Sequence, residues 1–174
     1  MHSLVLTLCV ALSAFAPIEQ KDSRTLRIEA DVQRELFQLP YYTVFDFLAF
    51  QVEPGGTLRL LGQVVRPTLK SDAERRVKGI EGIDKVINDI EVLPVSPSDD
   101  AIRLAAARNI YRSDALDRYG FGSQPSIRII VKNGRIVLEG VVDNESDKSV
   151  AGLKAREING VFDVKNNLTV TRSR

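Results

Sequence analysis

The sequence predicts an α+β chain of two tandem αββαβ units, each a three-stranded mixed sheet covered by two helices. Two observations carry this. First, the chain repeats itself at an interval of 78 residues: Gly56, Leu60, Gly62, Val64, Lys70, Ser71, Ala73, Ile80, Gly82, Val86, Asn88 and Val92 recur as Gly134, Leu138, Gly140, Val142, Lys148, Ser149, Ala151, Ile158, Gly160, Val164, Asn166 and Val170. These are 12 identities over the 37 positions from 56 to 92, where ordinary composition gives about two or three by chance. Second, apolar spacing switches between the helical and strand periods in the same order in both copies. Residues kept in both copies serve what the copies share, which is the fold.

In the first unit, Ile28, Val32, Leu36 and Leu39 lie at helical spacing, and Pro40 ends that helix. Leu48, Phe50 and Val52 then alternate as a strand, Glu53-Pro54-Gly55-Gly56 turns, and Leu58, Leu60, Gly62 and Val64 return as its hairpin partner. A second helix follows, with Thr68 at its N-cap, Ala73, Val77 and Ile80 inside, and Gly82 at its exit. Val86, Asn88, Ile90 and Val92 form the third strand.

The second unit repeats the order: a helix through Ile102, Ala106 and Ile110, a strand through Ile127, Ile129 and Val131, and a tight Lys132-Asn133-Gly134 turn. Ile136, Leu138, Gly140 and Val142 make the return strand, a helix starts near Ser146 with Ala151, Ala155 and Ile158 inside, and Val164, Asn166, Leu168 and Val170 form the last strand. The domains read as 25–93 and 100–171, joined by a stiff, proline-bearing linker at 94–99 that keeps them in contact. The copies differ most between first helix and first strand, at Pro40 to Phe47 in one and Ser113 to Pro125 in the other.

Composition narrows the function. The chain has 174 residues, 44% hydrophobic and 27% charged, as expected of folded soluble domains. A net charge of +1 sets up no global field for nucleic acid. The uncharged apolar run from Ser3 to Ala16 reads as a secretory signal peptide over 1–16 with an Ala14-x-Ala16 exit, or as an uncleaved apolar anchor. His2 and Cys9 are the only histidine and cysteine. Beyond residue 16, thiol nucleophiles, Ser-His-Asp triads, Cys/His zinc sites and histidine proton transfer are all excluded. No enzyme, metal or cofactor is expected.

The hairpins Gly56-Thr57-Leu58-Arg59-Leu60-Leu61-Gly62-Gln63-Val64 and Gly134-Arg135-Ile136-Val137-Leu138-Glu139-Gly140-Val141-Val142, the helix alanines, and the endings Gly82 to Ile90 and Gly160 to Leu168 resemble the BON domain of bacterial envelope proteins, in a two-domain arrangement. The likeness runs from residue 25 to 171. It implies a non-enzymatic module, secreted or periplasmic, of a family linked to osmotic-stress proteins and to binding of phospholipid or outer-membrane surfaces. The Gly-x-x-Gly clamp of the KH fold is absent, so no nucleic-acid partner is expected.

The glycines read as structural: Gly56 and Gly134 in turns, Gly82 and Gly160 at helix exits, Gly62 and Gly140 where a missing side chain admits the overlying helix. Asn88 and Asn166 should bond backbone at the helix-to-strand corner. Asp99-Asp100 and Glu145 with Asp147 read as helix-start acids rather than calcium ligands. Lys70, Arg75, Arg76, Lys78, Lys148, Lys154 and Arg156 read as solvated helix faces. Two aromatic segments remain. Tyr41, Tyr42, Phe45 and Phe47 are interface candidates, apolar at both parities and in need of cover by the other domain or a second copy. Tyr111, Arg112, Arg118, Tyr119 and Phe121 join rings to cations and are candidates for binding lipid or a partner. The expected function is association with the cell envelope, at anionic phospholipid surfaces; the alternative is an adaptor that binds another envelope protein or itself through these aromatic segments, and homo-oligomerisation stays open.

Overall fold

Asp22 starts the described chain by accepting a hydrogen bond from the Arg24 N–H, which caps α1 (Ser23–Phe37). The computed structural model describes residues 22–121 and 125–171; the expected signal or anchor at 1–16 lies outside them. Helix α1 turns Ile28, Val32 and Leu36 inward, and Leu39 is buried just past its end. Strand β1 (Phe47–Glu53) pairs antiparallel with β2 (Thr57–Val64), Phe47 opposite Gln63 and Glu53 opposite Thr57. Helix α2 (Pro67–Val77) buries Leu69, Ala73 and Val77. It crosses over so that β3 (Lys85–Asn88) and β4 (Glu91–Val92) run parallel to β2, as a parallel return through a helix requires.

The second unit has the same plan: α3 (Pro97–Tyr111), a 3₁₀ turn (Asp117–Gly120), β5 (Ile127–Lys132), β6 (Arg135–Val142), α4 (Glu145–Arg156), β7 (Asp163–Asn166) and β8 (Thr169–Val170). β6 is central, antiparallel to β5 and parallel to β7 and β8. Both sheets are mixed, with two helices on one face, and each unit has its own apolar core. Among the described residues no helix is long and apolar enough to cross a membrane.

The single last strand expected in each unit is broken in two by its asparagine. Asn88 Nδ2 donates to the Lys70 carbonyl at 2.9 Å while its Oδ1 accepts from the Ile90 N–H. Asn166 repeats this with Lys148, at 2.7 Å, and Leu168. Each amide therefore ties the second helix to the last strand, and the local turn it makes costs the strand its continuity.

Helix starts differ from expectation. Arg66, not Thr68, is the N-cap of α2 and makes no side-chain bond there, because Pro67 already fills the first helical position with a residue that has no N–H to satisfy. Ser96 caps α3 and Asn144 caps α4, each accepting from the N–H three residues on. Asp99 does not cap its own helix: it is buried and accepts from the N–H groups of Asn133 and Gly134, both at 2.8 Å, so it clamps the β5–β6 turn.

Gly62 and Gly140 are required for a reason other than helix approach. Both have φ of +116°, and a β-carbon would collide with the carbonyl oxygen of Phe47 at the start of β1 or of Ser126 just before β5. Gly140→Ala is expected to destabilise the chain by about 2–4 kcal/mol, combining left-handed strain with overpacking. Gly79→Ala, with φ outside the left-handed range and no atom within 4 Å of the added carbon, should stay within about 0.5 kcal/mol of the parent. Urea unfolding of the two variants checks this; equal losses would contradict it.

Candidate functional site

Strand β5 determines how the aromatic segments are used. Ile127, Ile129 and Val131 point into the second core, yet Arg128 and Ile130 on the opposite face are also buried, 6% and 1% exposed. The first unit covers that face. The Ile129 N–H donates to the Val44 carbonyl at 2.8 Å, and Arg128 Nη1 donates to the Thr43 carbonyl at 2.9 Å. The Arg128 guanidinium lies 4.5 Å from the centre of the Tyr42 ring, Lys132 pairs with Glu91, and Phe45 packs against the second core. The hydrogen bond from Lys132 holds the Glu91 carboxyl below the usual carboxylate range.

Of the four interface candidates, then, Tyr42 and Phe45 meet the second unit. Phe47 opens β1 half-buried, beside an inter-unit hollow of about 260 Å³ that Tyr42, Arg128 and Val141 also line. Tyr41 remains 68% exposed in left-handed backbone, φ +63°, with the Arg66 guanidinium 4.9 Å from its ring centre.

The second candidate set divides by burial. The Tyr119 hydroxyl accepts from the Asp143 N–H at 2.9 Å and donates to Asp147 Oδ2 at 2.5 Å. Arg118 stacks on that ring and bonds both Asp143 and Asp147. Asp147 is buried and also receives the Asn144 side-chain amide. Tyr111 donates to the Ile127 carbonyl at 2.5 Å, and burial pushes its phenol up to about 12 despite the opposing charge of Arg128. Arg118 and Tyr119 thus hold the insert to the domain, and Tyr111 ties α3 to β5. Arg112 and Phe121 stay exposed, Phe121 by 74%.

Two openings flank α3. Near its C-terminal end, a cleft of about 530 Å³ carries Arg108, Arg112 and Lys154 with Asp114 and Glu157. Lys154 is paired to Glu157 at 3.2 Å, whereas Arg108 and Arg112 have no ion pair among the described residues. Toward its N-terminal end lies a larger apolar groove of about 930 Å³. Among the described residues no group of three or more His, Cys, Asp or Glu side chains could hold a metal.

Arg128, Asp46 and Arg108 escaped sequence reasoning, and Asp147, read as a helix-start acid, instead receives the Tyr119 hydroxyl and the Arg118 guanidinium. A signal existed for Arg128: Ile127 to Val131 is apolar at both parities around it, the mark of a strand buried on both faces. Asp46 carried no comparable mark.

The described chain is a tandem of two αββαβ modules of one plan, joined by a built seam. The chain belongs to the BON domain family, whose model, described as BON domain, matches residues 25–94 and 98–172. Among solved structures it is similar to CdsD, a structural protein of the type III secretion system of Chlamydia trachomatis, at 14% identity over 84% of this chain and 94% of that one, TM-score 0.32. It is also similar to the C-terminal domain of CdsD, at 13% identity over 82% and 96%, TM-score 0.29. No curated protein sequence matches.

Tyr119→Phe removes a hydroxyl that satisfies a backbone N–H and a buried carboxylate, and should cost about 1–3 kcal/mol in urea unfolding. Arg128→Ala leaves the Thr43 carbonyl without its donor and a void at the seam. The two units are expected to separate, read as a larger radius of gyration in small-angle scattering, with the second unit still folded by circular dichroism.

Proposed function

We propose that this chain is a non-enzymatic binding module that associates with the cell envelope at anionic phospholipid surfaces. The supporting observation is the exposed last turn of α3. Arg108 and Arg112, four residues apart and so on one face of the helix, are exposed cations with no ion pair among the described residues. Gly120 packs against Tyr111, its absent β-carbon lying 2.8 Å from the ring, and this brings the exposed Phe121 to the same end of the helix. Cations for phosphate and a ring for the interface are the elements of peripheral lipid contact. On α2 and α4, Arg75, Arg76, Lys78 and Lys154 are less suited to it, being paired to Asp72, Glu35, Glu74 and Glu157.

Two free arginines at about 1 kcal/mol each support weak, salt-sensitive binding. The family resemblance favours the same surface, and export through residues 1–16 would deliver the chain to it. The full chain is expected to float with phosphatidylglycerol vesicles at low salt and to be released as salt rises. Arg108→Ser with Arg112→Ser should reduce the partition coefficient roughly 30-fold, and Phe121→Ser should reduce it further without loss of fold. Folded protein that stays at the bottom of the gradient at low salt would overturn the reading.

A further inference from the structure

The internal repeat supplies its own comparison for the groove beside α3. By their buried positions, Ile28, Val32 and Leu36 of α1 correspond to Ile102, Ala106 and Ile110 of α3. In the first unit the exit glycine is covered: a β-carbon on Gly82 would lie 2.9 Å from Ile28 Cδ1 and 3.3 Å from the Arg24 guanidinium. In the second, a β-carbon on Gly160 would meet only Ile102 Cδ1, at 3.8 Å. Ser98 stands in place of Arg24, and the space the guanidinium fills is open. Asn109 stands in place of Glu35, so the 3.2 Å ion pair by which Arg76 of α2 ties to α1 has no counterpart. Phe162 stands in place of Asp84; its ring lies across Gly134 and is 83% exposed at the groove.

Charge specifies the occupant. The ionisable side chains lining the groove are Asp99 and Glu157, and no cation lines it. A phosphate would find no cation there, whereas a guanidinium would meet the Phe162 face and the exposed Glu157 carboxylate, shared with Lys154; Asp99 is buried and already holds the Asn133 and Gly134 N–H groups. The stem of an arginine would lie along Ile102 and Ala105. Asn109, Asn133 and Asn159 on the rim offer amide partners to an adjoining peptide backbone.

We propose that this groove receives an arginine side chain presented by a segment of another protein, taking in trans the place that Arg24 holds in the first unit. The groove adjoins the cleft at Arg108 and Arg112, with which it shares Asn109 and Glu157, but it does not depend on the phospholipid reading. One chain would then contact a lipid surface at one end of α3 and a protein at the other.

The test is an NMR titration of the isotopically labelled full chain with acetyl-Leu-Arg-Leu-amide, beside acetyl-Leu-Glu-Leu-amide. Saturable shifts are expected at the amides of Gly134, Gly160 and Phe162 with the arginine peptide and not with the glutamate peptide. Ser98→Arg rebuilds the first unit's arrangement; it should weaken the arginine peptide at least tenfold while leaving the unfolding midpoint unchanged or higher. Absence of saturable shifts up to about 10 mM, beyond the millimolar range of a weak single contact, would overturn the proposal. So would equal response to the glutamate peptide, undiminished binding by the Ser98→Arg chain, or phosphatidylglycerol vesicles acting on these same amides in a Ser98-dependent way.

Discussion

A guanidinium held inside a strand that has no aqueous face is the constraint around which the two units are arranged. An ionised group removed from water must be met by acceptors and by polarisable surface, and the first unit brings both to Arg128, through the Thr43 carbonyl and the Tyr42 ring. Meeting that cation fixes residues 42–45 against β5, brings the Val44 carbonyl to the Ile129 N–H, and delivers Phe45 to the second core. The seam therefore combines charge, strand-edge and apolar contacts, and the short linker has only to permit it.

The same physical requirement recurs at the end of the central strand of each sheet, where a backbone N–H leaves the ladder and turns toward the second helix. In the first unit Val65 donates to the buried Asp46 carboxylate at 2.7 Å, itself held by the Thr43 N–H and hydroxyl. In the second, the corresponding Asp143 N–H donates to the Tyr119 hydroxyl, and Asp147 occupies the position of the buried Leu69. Both divergent segments thus solve one problem, with a carboxylate in one copy and a phenol in the other. Segments that differ between the copies are not for that reason free surface.

The two proposed contacts both lie on α3. Its last turn carries arginines that the rest of the described chain does not neutralise, and its opposite end borders a groove that the first unit fills with its own side chains. The last turn carries those unpaired cations and the groove is lined by none, so they suit different ligands. The two copies differ in this face: the first fills it with its own side chains and docks on β5, and the second leaves it open.

The fold was legible because it rests on local information. Alternation at Leu58, Leu60 and Val64, helical spacing at Ile28, Val32 and Leu36, and turn glycines at 56 and 134 each act within a few residues, and the repeat let one copy check the other. The inward asparagines were legible for the same reason. The candidate site was legible only in part: Arg112 and Phe121 are exposed as a surface role requires, but Tyr111, Arg118 and Tyr119 carry the same residue types and hold the domain together. Composition cannot separate these cases, because burial depends on which distant group lies opposite. The sequence by itself determined two αββαβ units and the absence of thiol and imidazole chemistry beyond residue 16. Only the tertiary structure decided that β1's neighbouring carbonyl, not a helix, excludes a side chain at Gly62, that Asp99 clamps a hairpin instead of its own helix, and which cations stay unpaired, since each depends on contacts between residues far apart in the chain.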